Sequence, residues 1–310
     1  MESFISLCKA TQPELKEYME GYLGRRGYNV INEDGFLYAK GTVPVLLVAH
    51  MDTVHAKQCK HVTIDSGKIS ATEGIGGDDR CGVYIIKELV KELHCSVLLC
   101  EDEEKGTVGA RKFTKTDYIN NLDVNFMIEF DRKGNDDAVF YTCDNQEFIK
   151  FVTDTTGYKK AFGSYSDISV LMPAAKLSAV NLSSGYYNAH STNEYVIWDE
   201  MCDTIEIAKD LINAECDGPF EYVAKKYEFQ RPTASDNYYQ FDFYDYLPDS
   251  NSAQMELENM DIELEVIIPD ELRLEKAVCV SGDTKAECWA KFFLGNPDFS
   301  FNDIITYSWQ

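Results

Sequence analysis

The chain has 310 residues, of which 45% are apolar and 13% are aromatic, which is enough for one large domain or two with a packed core. Acidic residues outnumber basic residues by 53 to 29, so the formal net charge is −24. This excess argues against duplex nucleic acid or an anionic membrane surface as the main partner, because both require a basic protein surface.

The sequence carries no signs of a membrane or an export pathway. It has no run of 18 apolar residues, and its first ten residues lack the basic and apolar stretches of a secretory signal. Its ten cysteines include no C-x-x-C pair, which favours reduced, buried thiols over disulfides in a chain without an export signal. We therefore expect a cytoplasmic protein.

The first 215 residues alternate between helical and strand patterns. Residues 12–27 have apolar side chains at helical spacing, with Thr11 as a candidate N-cap. The other predicted elements are, in chain order, strands at 28–31, 36–40 and 43–49, a helix at about 80–93, a strand at 96–100, a short helix near 108, strands at 124–130 and 138–141, a helix near 167–172, a strand at 177–181 and a helix at about 199–214. Alternation with continuous apolar strands predicts an α/β fold.

The composition changes after Cys216. Ten Phe or Tyr residues lie between Phe220 and Tyr246, and residues 217–310 contain 19 acidic residues, seven basic residues and no histidine. We predict a main domain at 1–215, an acidic aromatic linker or docking segment at 216–254, and a small accessory domain at 255–310. The aromatic residues favour packing against the main domain, and residues 216–310 also have enough aromatic area to contact a second copy or a protein partner.

The strand at 43–49 leads directly into His50, Met51 and Asp52. A histidine in this position stands at the carboxyl edge of the sheet, where ligand sites of α/β proteins form. Asp52 shares a face with His50 in extended chain, so it can hold the imidazole N–H as the partners of metal-bound histidines do. An ordinary histidine near a turn is the alternative.

A glycine-rich segment with two adjacent carboxylates, Asp78 and Asp79, precedes the helix at 80–93. Glycines allow the backbone to approach an ion closely. No Lys-Ser or Lys-Thr pair follows, and the carboxylates would repel phosphate, so a cation suits this place better. Carboxylates at a helix N-terminus also complement the helix dipole, which leaves capping as the alternative.

Three further clusters follow predicted strands. They are Glu101 to Glu104, the pair Glu129 and Asp131, and His190 within the segment from Gly185 to Glu194. A solvated charge run is the alternative for the first cluster. Two histidines with several carboxylates form a ligand set suited to zinc and also accepted by manganese or cobalt. A set this rich in carboxylates can hold two ions that share one carboxylate.

The motifs A-H-M-D, G-G-D-D-R-x-G, E-D-E-E-K-G, F-D-R and N-A-H-S-x-N-E resemble, in this order, those of the co-catalytic di-zinc exopeptidases. This superfamily includes peptidase T, bacterial leucyl aminopeptidases and glutamyl aminopeptidase-like enzymes. The resemblance covers about residues 10–215. It implies a three-layer α/β fold, with a mixed β-sheet flanked by helices, to which the small C-terminal domain is an addition.

The resemblance also implies two Zn²⁺ ions and a set of five ligands. The first ion would be held by His50, Asp78 and Asp131, and the second by Asp78, Glu104 and His190, so that Asp78 bridges the two. Mn²⁺ or Co²⁺ are the alternative metals.

The same resemblance implies amide hydrolysis with Glu103 as the general base and Asp52 as the partner of the His50 imidazole. It further implies a cis peptide bond after Asp78. The expected substrates are peptides or amino-acid amides, and the acidic surroundings favour a substrate with a free α-amino group.

Several assignments have competitors. Glu129 competes with Asp131 as a ligand, and Asp102 competes with Glu103 as the base. Asp167 resembles a family residue near the substrate groove. The remaining histidines receive surface or structural roles; they are His55, His61 and His94.

Only 59 residues separate Asp131 from His190, which is too short for the lid or dimerisation domain that many relatives insert here. This short spacing favours a compact aminopeptidase layout. It also leaves no family source for the basic residue with which some relatives bind a substrate carboxylate. The alternatives are a dipeptidase, a carboxypeptidase or an N-acyl-amino-acid deacylase on the same site. A catalytically retired interaction protein is the alternative from another class.

Overall fold

The structure, a computed structural model, describes residues 1–225 and the backbone of three strands at 262–269, 275–282 and 306–309. The chain divides into two compact units, Met1–Arg231 and Pro232–Gln310. The predicted boundaries at 215/216 and 254/255 stay predictions, and most of the aromatic segment lies outside the described residues. Across the described part, no helix combines the length and apolar content needed to cross a membrane.

The first unit contains eight helices and twelve strands within the described residues. The helices are α1 Glu2–Lys9, α2 Gln12–Gly24, α3 Gly77–Leu89, α4 Val108–Phe113, α5 Asp117–Asn120, α6 Gln146–Thr156, α7 Asp167–Ala175 and α8 Trp198–Asn213. The strands are β1 Val30–Glu33, β2 Phe36–Ala39, β3 Val43–His50, β4 Val62–Asp65, β5 Lys68–Ala71, β6 Cys95–Cys100, β7 Phe126–Arg132, β8 Asp137–Val139, β9 Lys159–Ala161, β10 Ala179–Ser183, β11 Tyr186–Tyr187 and β12 Tyr195–Ile197.

Eight strands form the main sheet in the order β1-β2-β6-β3-β7-β10-β8-β9. The four central strands are parallel, and β1, β2 and β8 pair antiparallel. Two groups of helices flank the sheet, with α1, α3, α6 and α8 in one group and α4, α5 and α7 in the other. The predicted α/β fold with a mixed sheet between helices is therefore confirmed.

The central strands are buried over most of their length and end at the same edge. In β3 the side chains from Val45 to Ala49 are almost fully buried, as are all six residues of β6. Register places His50 opposite Cys100 and Val48 opposite Glu129. The residues that follow these strands are thus brought to one edge, as expected for parallel strands.

A second, four-stranded sheet has the order β11-β12-β5-β4. Its strands have two to four residues, and two of its pairs are hairpins. This sheet is not predicted by the sequence pattern. His190 is expected to follow the strand at 177–181, whereas it lies in the loop of the β11–β12 hairpin. The hairpin, rather than the main sheet, therefore carries this residue.

The N-terminal helices pack on the core. Thr11 caps α2 in a capping box with Glu14, which confirms the predicted N-cap. Helix α1 was not predicted, since it has only eight residues, of which Phe4, Leu7 and Cys8 are buried. Helix α6 was also not predicted; it is mostly polar, and its buried side chains are Phe148, Ile149 and Val152.

Residues 217–225 pack against the rest of the first unit. The Phe220 N–H donates to the Asn125 carbonyl at 2.8 Å, and the Ser178 N–H donates to the Phe220 carbonyl at 2.8 Å. The Phe220 ring is buried against Phe126 and Phe148. The beginning of the predicted docking segment therefore belongs to this unit. The second unit contains an antiparallel sheet of β13 Ile262–Pro269, β14 Glu275–Gly282 and β15 Thr306–Trp309, in the order β14-β13-β15.

Candidate metal centre

The predicted ligands come from five separate segments of the first unit. His50 ends β3, Asp78 begins α3, Glu104 follows β6, Asp131 lies near the end of β7, and His190 lies between β11 and β12. The fold brings all five together around Asp78. Their roles as ligands stay predictions, but the distances show what their side chains can do.

The two histidines approach opposite oxygens of one carboxylate. His50 Nε2 lies 3.0 Å from Asp78 Oδ1, and His190 Nε2 lies 3.2 Å from Asp78 Oδ2. Asp131 Oδ1 lies 3.8 Å from His50 Nε2, while Glu104 Oε1 lies 3.0 Å from His190 Nε2. This is the arrangement that a carboxylate shared by two cations requires.

The donor set fits a pair of divalent cations. Glu104 Oε1 is buried and makes no hydrogen bond. It lies close to the His190 imidazole, as expected of two ligands that bind the same ion. Among the described residues, three groups have ligand atoms that lie within 4.8 Å of one another inside the group. The groups are His50, Asp79 and Asp131; His50, Glu103 and Glu104; and Asp78, Glu104 and His190. Nitrogen and carboxylate oxygen donors of this kind suit zinc, manganese or cobalt.

The electrostatics of the cluster favour positive charge. Contacts with Asp78 and Glu104 raise the pKa of His190 to about 11. Burial lowers the pKa of His50, but hydrogen bonds to Asp52 and Asp78 outweigh burial and raise it well above its usual value. The carboxylates around both imidazoles therefore favour a positive charge between them.

Asp52 connects the His50 imidazole to the turn that follows β6. Its Oδ1 lies 3.2 Å from His50 Nδ1 and accepts the Glu103 N–H at 3.0 Å, while its Oδ2 accepts the Glu104 N–H at 3.2 Å. The first contact turns His50 Nε2 toward Asp78. The other two contacts hold the backbone of Glu103, the predicted base, and of Glu104, a predicted ligand.

Glu103 is well placed beside the cluster. One of its oxygens lies within 4.8 Å of ligand atoms of His50 and Glu104. Burial raises the pKa of Glu103 to about 8, with a smaller contribution from Asp167, while His50 opposes the change. Asp102, the other candidate for the base, accepts a hydrogen bond from the Lys105 ammonium at 2.9 Å and so already belongs to an ion pair.

Asp79, which the sequence places beside Asp78 in the glycine-rich segment, is a neighbour of the centre with no predicted ligand role. It is buried, its Oδ1 accepts the Gly82 N–H at 2.8 Å, and its Oδ2 accepts the His50 N–H at 3.3 Å. The Asp78–Asp79 peptide bond is cis, as the resemblance implied. Its adjacency to Asp78 was the only sequence signal for a role.

Two other carboxylates lie beside the cluster. Glu129, the competitor of Asp131, is buried and accepts a hydrogen bond from the Ser166 hydroxyl. It belongs to none of the three groups of ligand atoms found in the described chain. Asp167 is also buried, and burial raises its pKa to about 6. Its proposed place near a substrate groove stays a prediction.

Tyr186 is a residue of the centre that the sequence analysis missed. It is buried, and its hydroxyl donates to Asp131 Oδ1 at 3.1 Å. The only sequence signal was its place in the segment from Gly185 to Glu194. The contact holds the predicted ligand from the side of the β11–β12 hairpin.

The three remaining histidines do not approach the ligand atoms. His61 is 81% exposed and lies 3.6 Å from Glu73. His94 stacks on Tyr28 with a centroid distance of 4.1 Å. His55 Nε2 lies 2.8 Å from Glu194 Oε2, a carboxylate behind the cluster.

No protein-family model and no curated protein sequence matches this chain. Solved structures do match. Aminopeptidase PepT from Bacillus cereus superposes with a TM-score of 0.57 and 16% identity, covering 68% of this chain and 96% of PepT. A tripeptidase from Staphylococcus aureus superposes with a TM-score of 0.56 and 13% identity, covering 68% of this chain and 96% of the tripeptidase.

The chain has the zinc exopeptidase fold. An aminopeptidase from the archaeon Desulfurococcus kamchatkensis has the same fold, with a TM-score of 0.54 and 14% identity over 69% of this chain and 94% of that protein. These identities are low, so the similarity establishes the architecture, and function has to be argued from the residues of the site.

Proposed function

We propose that the protein is a metal-dependent exopeptidase that removes amino-terminal residues from short peptides, with two Zn²⁺ ions at the centre. The observation that carries the proposal is the position of Asp78, whose two oxygens face His50 and His190 at 3.0 and 3.2 Å. We assign His50, Asp78 and Asp131 to one ion and Asp78, Glu104 and His190 to the other. No other cluster in the described chain offers a bridging carboxylate between two imidazoles.

The bound cations supply Lewis-acid chemistry, which acidifies a water molecule and polarises the carbonyl group of the scissile bond. The protein side chains hold this chemistry in place. Asp52 keeps the His50 ring oriented, and Tyr186 holds Asp131. Asp52 also fixes the main chain of Glu103 and Glu104, so that ligand and base keep a constant separation.

Glu103 is the proton carrier in this proposal. A carboxylate with a raised pKa is a better proton acceptor than an ordinary glutamate and can return the proton to the leaving amine. With two divalent cations held by the predicted ligands, the ionised form of Glu103 would be favoured, and Glu103 could accept a proton at neutral pH. Its backbone carbonyl also accepts the N–H groups of Gly106 and Thr107, which makes the turn rigid.

The preference for a free amino terminus rests on charge and on the neighbours. The chain has an excess of acidic residues, and carboxylates such as Asp52, Asp78 and Glu104 line the site, so an ammonium group would be attracted to it. The similar structures are named as aminopeptidases and a tripeptidase. Eight cysteines of the described chain are unpaired, which supports a cytoplasmic location.

The test combines metal analysis with a substrate panel. We expect two zinc ions per chain by elemental analysis and hydrolysis of peptides and aminoacyl amides with a free amino terminus. N-blocked versions of the same peptides, which differ only at that group, should be cleaved at least tenfold more slowly. Chelation should abolish activity and added zinc should restore it.

Each contrary result identifies another function. Faster cleavage of N-blocked peptides would favour a carboxypeptidase, and activity confined to dipeptides or acyl amino acids would favour a dipeptidase or a deacylase. A protein that binds two ions but cleaves none of these substrates would instead be a retired hydrolase. In that case residues 216–310 become the candidate surface for a partner or a second copy.

A further inference from the structure

Glu194 is buried behind the metal centre and is not among the predicted ligands. It lies four residues after His190, at the end of the β11–β12 loop, and is only 1% exposed. Its Oε1 accepts the Asp78 N–H at 3.0 Å. Its Oε2 accepts the Gly76 N–H at 2.8 Å and lies 2.8 Å from His55 Nε2.

These contacts join three of the segments that build the centre. Glu194 belongs to the hairpin loop that carries His190. Asp78 and Gly76 belong to the turn that begins α3, and His55 belongs to the loop that follows β3 and His50. One carboxylate therefore ties together the segments of both imidazoles and of the carboxylate between them.

The surroundings of Glu194 are suited to a carboxylate and to no other side chain of its size. Gly76 and Asp78 present backbone N–H groups, His55 Nε2 can donate in one of its tautomers, and an ionised carboxylate has only acceptor atoms. Hydrogen bonds from backbone N–H groups also compensate for the burial of its charge. An amide at this position would turn its NH₂ group toward at least one N–H donor and leave that donor without an acceptor.

The turn and the hairpin are packed without space between them. A Cβ atom on Gly77 would lie 2.8 Å from Tyr186 Cβ, 2.8 Å from Val196 Cγ2 and 3.4 Å from Glu194 Oε1. Glycine at position 77 is therefore required for this close approach. Because the two segments touch, a displacement of the Glu194 carboxylate would be transmitted to Asp78.

We infer that Glu194, supported by His55, is a positioning residue that sets the direction of Asp78 so that each of its oxygens faces one imidazole. The inference rests on the two-ion site proposed above. Glu194 acts through the main chain of the bridging residue, and it also determines how far the His190 loop lies from Asp78. Partners of metal ligands commonly change metal affinity by 10- to 100-fold when they are replaced.

The experiment measures metal binding by the full chain after its metal has been removed. Zn²⁺ affinities come from competition with a chromophoric chelator, and Co²⁺ absorption spectra report the geometry around each ion. For Glu194→Gln we expect one ion, the one assigned to the His190 side, to bind about 10- to 100-fold more weakly, with an altered Co²⁺ spectrum. The ion assigned to His50 and Asp131 also shares Asp78, but it keeps two ligands on the main sheet, so its affinity should fall less.

Variants of His55 separate hydrogen bonding from bulk. His55→Ala removes the donor, so we expect a smaller loss of affinity for the same ion. His55→Gln keeps an N–H donor and should restore most of the affinity. Combining Glu194→Gln with His55→Ala should add little to Glu194→Gln alone, since both changes affect one contact. The matched control is His61→Ala, an exposed histidine that also contacts a glutamate.

Unchanged affinity for both ions in Glu194→Gln would overturn the inference, even if the melting temperature of the metal-free protein fell, because Glu194 would then be structural only. If Glu194→Gln fails to fold, His55→Ala decides: weaker binding of one ion supports the inference and wild-type affinity overturns it. Binding is measured without peptide. A wild type that binds two ions but hydrolyses nothing contradicts the proposed function alone, whereas unaltered metal binding by variants of an active enzyme contradicts the inference alone.

Discussion

The two imidazoles of the candidate centre have very different surroundings. His50 is 1% exposed, ends a central strand of the main sheet, and lies close to Asp52, Asp78 and Asp131. The His190 side chain is 43% exposed and lies in a hairpin loop, with a backbone φ of 61°. One side of the centre is thus part of the core, while the other is open to solvent.

The difference indicates that the two sides of the centre have different roles. The His50 side is held by the core, whereas the His190 side depends on a short hairpin and its contacts with the Asp78 turn. A substrate reaches the centre more easily from the open side. We therefore expect the ion on the His190 side to bind more weakly and exchange faster than the ion on the His50 side.

The largest effect on turnover is expected from Glu103, which lies close to His50 on one side of the centre and to Glu104 on the other. Glu103→Gln removes the proton carrier but no assigned ligand, so turnover should fall by about 10²- to 10⁴-fold while two ions remain bound. Initial rates and elemental analysis of the same sample provide the measurement. Asp102→Asn, in the same turn, is the control and should stay near wild-type activity. Normal turnover in Glu103→Gln would remove Glu103 from the role of base.

Replacing each histidine tests the comparison directly. Both His50→Ala and His190→Ala should lose one ion per chain. Both should also destabilise the metal-free protein, because in each case buried carboxylates lose a partner. The loss should be larger for His50→Ala, about 2 kcal/mol or more, since His50 is buried, whereas the His190 side chain is 43% exposed. Urea titrations of both metal-free variants check this, and equal losses of stability would contradict it.

A smaller effect is expected when the contact behind His50 is weakened. Asp52→Asn should reduce affinity for the ion on the His50 side by about 10- to 100-fold, since the imidazole loses its ionised partner. The ion on the His190 side should change less. Competition with a chelator measures both affinities, and a larger change on the His190 side would show that Asp52 acts mainly through the Glu104 backbone.

The smallest effect should come from Tyr186→Phe, which removes one hydrogen bond to Asp131. A loss of about 0.5 to 1.5 kcal/mol in binding of the ion on the His50 side is expected. Tyr187→Phe is the matched control, because that hydroxyl contacts Glu200 at 2.7 Å instead of a predicted ligand. Equal zinc affinities for the two variants, measured in parallel, would deny Tyr186 a part in the centre.

Much of the His50 side could be predicted from the sequence. Buried parallel strands are recognisable as apolar runs, and their carboxyl ends meet at one edge, so His50, Glu104 and Asp131 could be placed near each other. The cap at Thr11 was predictable because a capping box depends only on neighbouring residues. The order of the motifs then suggested which carboxylate is shared.

The His190 side was harder to predict. Its hairpin has strands of two and three residues, too short for a clear alternating pattern, and the β4–β5 pair that completes its sheet lies more than 100 residues earlier in the chain. The contacts of Tyr186 and Glu194 depend on how the hairpin packs over Gly77. Such contacts between distant segments leave no periodic signal in the sequence.

The sequence by itself determined the α/β alternation, the buried central strands and the types of side chain that follow them, because these depend on local periodicity and on chemistry. Only the tertiary structure decided which oxygen of Asp78 faces which imidazole, that Glu129 lies apart from the ligand groups, and that Glu194 supports the Asp78 turn. These features are distances between segments far apart in the chain. The contacts of Glu194 with the Asp78 turn arise where the second sheet packs against the start of α3, and Glu129 is held by Ser166 just before α7.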